Sequence, residues 1–80
     1  MRKKTKYCAL GRLIAKRLID LDKNQRWLSE ETGIQQASIV TYCNGKVIPS
    51  AQNIYKIAVA LNFSTDTIIQ AIIHDTEQIA

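Results

Sequence analysis

Residues 25–44 read QRWLSEETGIQQASIVTYCN, and this stretch decides the fold of the chain. It begins with a short helical pattern in which Leu28 and Thr32 share one face, and Asn24 just before it is a good N-cap residue. Gly33 ends that pattern, because glycine enters the left-handed backbone region without a steric penalty. The pattern therefore predicts a short helix that ends in a tight turn rather than in a flexible hinge.

A second short helix is predicted after the turn, from Gln35 or Gln36 to Cys43. Its inner side carries Ile39 and Tyr42, three residues apart, while its polar start is left exposed. Small, glycine and apolar residues recur through the stretch at the spacing of two helices that cross at a turn: Leu28, Ser29, Gly33, Ile34, Ile39 and Tyr42. Two helices so arranged present the start of the second to the major groove of duplex DNA.

Helical patterns continue on both sides of this pair. A first helix is predicted to be capped by Thr5, with an apolar face formed by Tyr7, Leu10, Ile14, Leu18 and Leu21. Downstream, Ser50 is expected to cap a helix over residues 51–61, and Ser64 a fifth helix that runs toward Ile79. No strand-period alternation interrupts this order, so the predicted fold class is all-α with five helices.

Length and charge limit the range of functions. Eighty residues with 46% hydrophobic content suit one small domain over residues 1–80, and they exclude a two-domain enzyme. The net charge is +4. Residues 1–46 carry ten basic and four acidic side chains, whereas residues 47–80 carry one and three. The first half is therefore the predicted contact surface for an anionic partner.

The cysteine and histidine content argues against a metal or redox site. Cys8 and Cys43 form no Cys-x-x-Cys motif, and His74 is the only histidine. One intramolecular disulfide is possible, but reduced packing cysteines are favoured in the cytoplasm, where we expect the protein to act. The longest apolar runs fall far below the roughly 18 residues of a membrane span, so no membrane partner is expected.

Several short segments resemble the phage-repressor and Cro type of helix-turn-helix protein, also called the xenobiotic-response-element (XRE) family. The similarity covers about residues 10–70 and rests on Leu10-Gly-Arg-Leu-Ile, Asn24-Gln25, Thr32-Gly33-Ile34, Ser38-Ile39, Asn44-Gly45-Lys46, Pro49-Ser50 and residues 58–61. The resemblance implies a repressor-like domain whose second and third helices form the helix-turn-helix. It also implies binding to double-stranded operator DNA, usually as a homodimer.

The start of the third helix carries the predicted base-reading residues Gln35, Gln36, Ala37 and Thr41. A glutamine can pair with adenine N6 and N7, Ala37 can meet a thymine methyl group, and the Thr41 side chain can donate, accept or offer its methyl group. The alternative is that these residues form an ordinary solvated helix face.

Other contacts are implied by the resemblance. Residues that match Asn24, Gln25, Asn44 and Lys46 hold the family's proteins against the DNA backbone, and the residue matching Gln25 also supports the glutamine after the turn. The N-terminal segment is either a basic arm that lies along DNA or a solvated tail, and its basic residues are Arg2, Lys3, Lys4 and Lys6.

The sequence departs from the family pattern at two places, and each departure predicts a contact. Leu18 and Cys43 occupy positions where many relatives have an Arg and a Glu, so an apolar contact is expected in place of an ion pair. Trp27 stands where a polar residue is usual. It is expected to fold over Lys23 or the Tyr7 region, and the alternative is that it anchors a protein partner.

The C-terminal helix is the predicted dimer interface, because Ile69, Ile73 and Ile79 leave apolar surface beyond the needs of the core. The resulting hypothesis is a dimeric, sequence-specific repressor of phage, prophage or mobile-element origin, with no cofactor, metal or small-molecule ligand. The alternative is a protein-interaction module on the same fold, such as an antirepressor or antitoxin, which contacts its partner through Trp27 or the C-terminal helix. An enzyme is not expected, because no nucleophile has a plausible base.

Overall fold

A computed structural model describes residues 7–79, with side chains as far as Glu77. These residues form five α-helices, and no strand occurs among them. The helices are α1 (Ala9–Asp20), α2 (Gln25–Thr32), α3 (Gln36–Cys43), α4 (Ala51–Leu61) and α5 (Thr65–Ile79). The predicted all-α, five-helix fold is confirmed.

The first helix begins later than the sequence pattern predicts. Cys8, rather than Thr5, is the N-cap, and its Sγ accepts a hydrogen bond from the Gly11 N–H at 3.4 Å. Tyr7 therefore precedes the helix instead of lying on its apolar face. Leu21 is also misplaced by the prediction, since α1 ends at Asp20 and leaves Leu21 37% exposed as the C-cap. A cysteine thiol is a weak hydrogen-bond acceptor and is not among the usual N-cap residues. The sequence pattern therefore places the start of α1 at Thr5, three residues too early.

The ends of the other helices agree with their predicted caps. Asn24 Oδ1 accepts from the Trp27 N–H at 2.9 Å, Ser50 Oγ from Asn53 at 3.2 Å, and Ser64 Oγ from Thr67 at 3.2 Å. Asn62 ends α4 in the left-handed region with φ 61°. The side chains of Asn24, Ser50 and Ser64 each accept from a backbone N–H in the first turn of a helix, where the N–H groups have no partner one full turn earlier in the helix.

The turn between α2 and α3 is closed by hydrogen bonds on both sides of Gly33, which has φ 76°. Thr32 Oγ1 donates to the Leu28 carbonyl at 2.7 Å and accepts from the Ile34 N–H at 3.1 Å. Ser29 Oγ donates to the Ile34 carbonyl at 2.6 Å. The predicted tight turn is confirmed, and these bonds hold α3 at a set angle to α2.

The core lies where α1 packs on α3, α4 and α5 and where α2 packs on α3 and α4. Its fully buried side chains come from all five helices and include Leu10, Ile14, Leu28, Ile39, Cys43, Ile57, Leu61 and Ile68. At Gly11, α1 approaches α3 so closely that a Cβ atom would overlap the carbonyl oxygen of Cys43. The core therefore holds the inner side of α3, and the outer side of α3 is exposed to solvent.

Candidate nucleic-acid interface

The outer face of α3 carries the predicted base-reading residues. Gln36 and Ala37 are exposed in the first turn, and Thr41, one turn further on, is half-buried. On the opposite face, Ile39 and Cys43 are fully buried. Because the two faces of α3 are so unlike, the helix can bring these polar side chains to a partner without disturbing the core.

Thr41 has a narrower role than its residue type allows. Its Oγ1 donates to the Ser38 carbonyl at 2.7 Å and lies 3.3 Å from the Ala37 carbonyl. Its single hydroxyl hydrogen is therefore used within α3. Toward a base, Thr41 keeps an acceptor lone pair and its methyl group.

Gln35 lies at the N-cap position of α3, with an extended backbone and no capping bond from its side chain. It is exposed, like Gln36 after it. The structure thus places Gln35, Gln36 and Ala37 together at the start of α3, which is the end that a helix-turn-helix directs into a groove.

Sequence reasoning missed Val40, which is 37% exposed on the outer side of α3 between Ala37 and Thr41. A valine at this position can pack against a thymine methyl group, as Ala37 can. The helical repeat could have predicted this position, since Val40 lies one turn after Gln36 and Ala37. An apolar residue in a helix is usually assigned to the core instead.

The residues predicted to contact DNA phosphates come from the start of α2 and the segment after α3. Asn24 and Lys46 are exposed, whereas Gln25 and Asn44 are half-buried. Gln25 Nε2 donates to Tyr7 Oη at 3.1 Å and lies 3.9 Å from the Sγ of Cys43, the last residue of α3. The start of α2 and the end of α3 therefore lie next to each other.

A helix-turn-helix family model matches residues 13–68, from the first helix to the middle of the last. The chain belongs to the XRE-type helix-turn-helix family. It is a DNA-binding transcription regulator of the XRE kind. No curated protein matches the chain closely enough to count as a relative.

Both residues that stand where many relatives have an Arg and a Glu are buried. Leu18 is 4% exposed and Cys43 is fully buried, and both belong to one apolar cluster, as an apolar pairing in place of an ion pair requires. Burial raises the pKa of Cys43 to about 11, and the nearby Cys8 adds to this effect. Cys43 is therefore a neutral packing thiol.

Neither cysteine of the helix-turn-helix domain is in a disulfide. The Cys8 Sγ lies 3.2 Å from the Cys43 carbonyl oxygen and 3.4 Å from that of Tyr42, close enough to donate to them. Burial raises the pKa of the Cys8 thiol as well, and the hydrogen bond and negative charge of Asp75 act in the same direction. Reduced packing cysteines, the favoured prediction, agree with this arrangement.

Trp27 is half-buried against the core, and the Lys23 Nζ lies 5.5 Å from the centre of its ring. This agrees with the prediction that Trp27 folds over Lys23, and such a contact between a cation and an aromatic ring is attractive. The ring is therefore largely engaged within its own chain.

The remaining predicted residues lie at the two ends of the chain. Ile69 is 40% and Ile73 is 49% exposed on α5. The side chain of Ile79 and the basic residues Arg2, Lys3, Lys4 and Lys6 lie outside the described residues.

An apolar groove of about 240 Å³ lies between α5 and the segment after α3. Its lining includes Ile72 on one side and Val47, Ile48 and Pro49 on the other. Val47 is 52% and Ile48 is 60% exposed. The groove therefore extends the exposed apolar surface from α5 to the segment that follows α3.

Two other kinds of site have no counterpart in residues 7–79. No three His, Cys, Asp or Glu side chains there come close enough together to hold a metal ion. No helix in the same range combines the length and the hydropathy needed to cross a bilayer.

Proposed function

We propose that the chain is a sequence-specific repressor of phage, prophage or mobile-element type that binds a near-palindromic operator through the major groove. The observation that carries this proposal is the exposure of Gln36 and Ala37 at the start of α3, while Ile39 on the opposite face is fully buried. Exposed amide and methyl groups at that end match the donor, acceptor and methyl pattern of adenine and thymine. Gln35, Val40 and Thr41 complete the proposed reading surface.

The proposed backbone contacts frame this surface. Asn24 and Gln25 stand at the start of α2, and Asn44 and Lys46 follow α3, so they flank the reading residues along the chain. In this arrangement the amide groups and the Lys46 ammonium hold the domain in register on the phosphates. The basic residues Arg2, Lys3, Lys4 and Lys6 are proposed to add a further electrostatic contribution to binding.

The proposed homodimer forms through α5 and the groove beside it. Ile69 lies one helical turn from Ile72, so the exposed isoleucines and the groove lined by Val47 and Ile48 make one apolar surface. A symmetric dimer bound to one operator has its two α3 helices about 34 Å apart, one turn of DNA. This spacing is the reason that we expect a near-palindromic operator.

The regulator is proposed to work in the cytoplasm, without catalysis, cofactor or small-molecule ligand. The family consists of DNA-binding regulators, and the sequence offers no nucleophile with a plausible base. Control would then come from protein concentration, competition or a separate protein.

Selection of bound duplexes from a random pool tests the proposal. We expect a recovered consensus with two related half-sites whose centres are 10–10.5 base pairs apart, as the geometry of paired recognition helices requires. Recovery of no consensus from a protein that binds duplexes equally would contradict sequence-specific regulation. A consensus with only one half-site would contradict the dimer and leave base reading intact.

A second candidate function is a protein-interaction module, such as an antirepressor or antitoxin. The exposed Ile69 and Ile73 favour it, whereas the half-buried Trp27 offers less than the sequence suggests. A salt titration separates the two functions. Affinity for DNA falls steeply with salt, by about one unit of logarithmic slope for each phosphate contact, whereas an apolar protein contact hardly responds.

A further inference from the structure

Tyr7 lies at the junction of the two segments that carry the proposed phosphate contacts. Its Oη is 3.1 Å from Nε2 of Gln25, the first residue of α2, and the same nitrogen is 3.9 Å from the Sγ of Cys43 at the end of α3. Asn44 follows Cys43 directly. The Tyr7 hydroxyl group therefore lies beside both segments, although its residue precedes α1 in the chain.

The hydrogen bonds of Gln25 limit what its side chain can give to DNA. An amide group has two N–H donors, both on Nε2, and one carbonyl acceptor. Nε2 of Gln25 donates to Tyr7 Oη and has Cys43 Sγ as its second acceptor. Phosphate oxygens accept hydrogen bonds and do not donate them. The Gln25 side chain consequently has no donor left for a phosphate.

The Tyr7 hydroxyl group has the donor that Gln25 lacks. A phenol has one O–H donor and can also accept, and here its oxygen accepts from Gln25, while its own hydrogen has no acceptor among the side chains and backbone of residues 7–77. The Tyr7 side chain is half-buried, its ring packed against the core. In the sequence it follows a segment with four basic residues among positions 2–6, which favours the approach of an anion.

The other two tyrosines lack this combination of features. Tyr42 Oη also accepts from an amide, Asn53 Nδ2 at 2.9 Å, but Tyr42 is only 8% exposed. Tyr55 is 62% exposed on the middle of α4, close to Glu31 rather than to the junction of α2 and α3. Tyr7 alone among them combines an amide that orients the hydroxyl group with a place beside the proposed phosphate contacts.

We propose that the Tyr7 hydroxyl group, oriented by Gln25, donates a hydrogen bond to a backbone phosphate of the bound DNA. Gln25 is then a positioning residue at this junction rather than the phosphate donor. This inference rests on the proposed function, because it requires a duplex bound across α2 and α3. It adds Tyr7 to the contact surface and changes the role of Gln25.

The test uses the full chain and a selected duplex in which single phosphates are replaced, one at a time, by neutral methylphosphonates. The variant Tyr7→Phe removes the hydroxyl group and keeps the ring that packs against the core. We expect it to bind the selected duplex and a random duplex roughly two- to tenfold more weakly, the loss of one hydrogen bond. The salt dependence should keep its slope, because a neutral hydroxyl group releases no counterion.

The methylphosphonate scan locates the contact. In the wild-type protein, one replaced phosphate per half-site should weaken binding, and in Tyr7→Phe the same replacement should cause no further loss. Gln25→Met should reduce the effect at that phosphate only in part, because the hydroxyl group remains without its orienting amide. Tyr55→Phe is the matched control and should bind like the wild type, and urea unfolding checks that each variant is folded under the binding conditions.

The possible outcomes separate this inference from the proposed function. If Tyr7→Phe keeps the wild-type methylphosphonate profile while the operator is still bound, Tyr7 is not the donor and the proposed function stands. If Gln25→Met alone abolishes the effect at that phosphate, Gln25 is the donor and the assignment is reversed. If the wild-type protein selects no duplex at all, the proposed function and this inference both fail.

Discussion

The carboxylate of Asp75 on α5 accepts a hydrogen bond from the backbone N–H of Ala9, the first residue of α1, at 2.7 Å. Its second oxygen accepts from the Leu10 N–H at 3.1 Å. A residue near the C-terminal end of the chain thus caps the first helix from 66 positions away. The bond places a negative charge at a helix N-terminus, where it is stabilising, and it links α5 to the start of α1.

Stability should depend on the charge of Asp75. Partial burial by itself would raise the pKa of Asp75, but hydrogen bonds from Ala9, Leu10 and Cys8, together with the nearby His74, outweigh burial and lower the pKa. A carboxylate with a lowered pKa in the folded state stabilises that state above its unfolded pKa of about 3.9. This contribution is lost as the pH falls through the folded pKa.

We therefore expect Asp75→Asn to reduce the free energy of unfolding at neutral pH by on the order of 1–2 kcal/mol. The difference from the wild type should shrink once the pH falls below the unfolded pKa of about 3.9, and it should vanish below the lower folded pKa, where the native carboxylate takes up its proton. Urea unfolding of both proteins at neutral and at acidic pH measures this difference in the free energy of unfolding. Glu77→Gln, at an exposed position two residues along α5, is the control and should change little. An equal loss at both pH values would rule out the charged cap.

Gly11→Ala should destabilise the fold, although alanine is the better helix former by about 1 kcal/mol. The new methyl group would overlap the carbonyl oxygen of Cys43, so α1 and α3 would have to move apart. We expect a loss of about 2–3 kcal/mol in the free energy of unfolding.

Gly33→Ala provides the comparison for Gly11. Apart from Gly33 itself and its two chain neighbours, no residue comes within 4 Å of a Cβ at this position, so the positive φ of 76° is what disfavours alanine. Its expected loss is about 1 kcal/mol, the penalty of a left-handed backbone. Thermal unfolding of the two variants shows which is the less stable, and we expect it to be Gly11→Ala. A Gly11→Ala protein as stable as the wild type would contradict the close helix contact.

Gln36→Ala and Lys46→Ala should separate base reading from phosphate binding. Gln36→Ala is expected to lose about 1–3 kcal/mol on the selected duplex and little on random DNA. Lys46→Ala should weaken both equally and lower the salt slope by about one unit. Titrations of both duplexes at several salt concentrations measure these effects.

Matched controls for these substitutions lie on other helices. Gln70→Ala on α5 and Lys16→Ala on α1 change the same residue types at exposed positions. Neither substitution is expected to alter the ratio of the affinities for the selected and the random duplex. Uniform losses from Gln36→Ala on selected and random DNA would show that Gln36 does not read a base.

Ile73→Lys should convert the proposed dimer to a monomer, because it buries a charge in an apolar contact. Sedimentation at tens of micromolar protein measures the oligomeric state, and the affinity for the operator should fall when the dimer is lost. Ile19→Lys is the control, since Ile19 is 76% exposed on α1 and lies outside the proposed interface. A wild-type protein that sediments only as a monomer, with and without operator DNA, would refute the dimer.

Cys43 should react with an alkylating reagent only when the domain unfolds, since it is fully buried and its pKa is raised to about 11 by burial first and by Cys8 second. The Cys8→Ser variant leaves Cys43 as the single thiol and keeps a capping atom at residue 8. Its labelling rate should rise with urea in step with unfolding. Rapid labelling of the native variant would contradict the buried thiol.

The sequence by itself determined the five helices, four of their five starts, the turn at Gly33 and the outer face of α3. These features depend on contacts within a few residues, such as an N-cap side chain or a helical repeat, so they are written into short stretches of the chain. The start of α1 was the exception because its first N–H groups are satisfied by Cys8 and by the distant Asp75, and a local pattern predicts neither contact.

Only the tertiary structure decided the features that join distant positions. Gly11 looks merely unfavourable for a helix, yet it is the point where α1 meets the backbone of α3. Gln25 looks free to bind phosphate until the fold places Tyr7 Oη and Cys43 Sγ beside its amide nitrogen. Such pairings follow from how the helices pack, which a local pattern does not encode, and they determine which donors remain available for DNA.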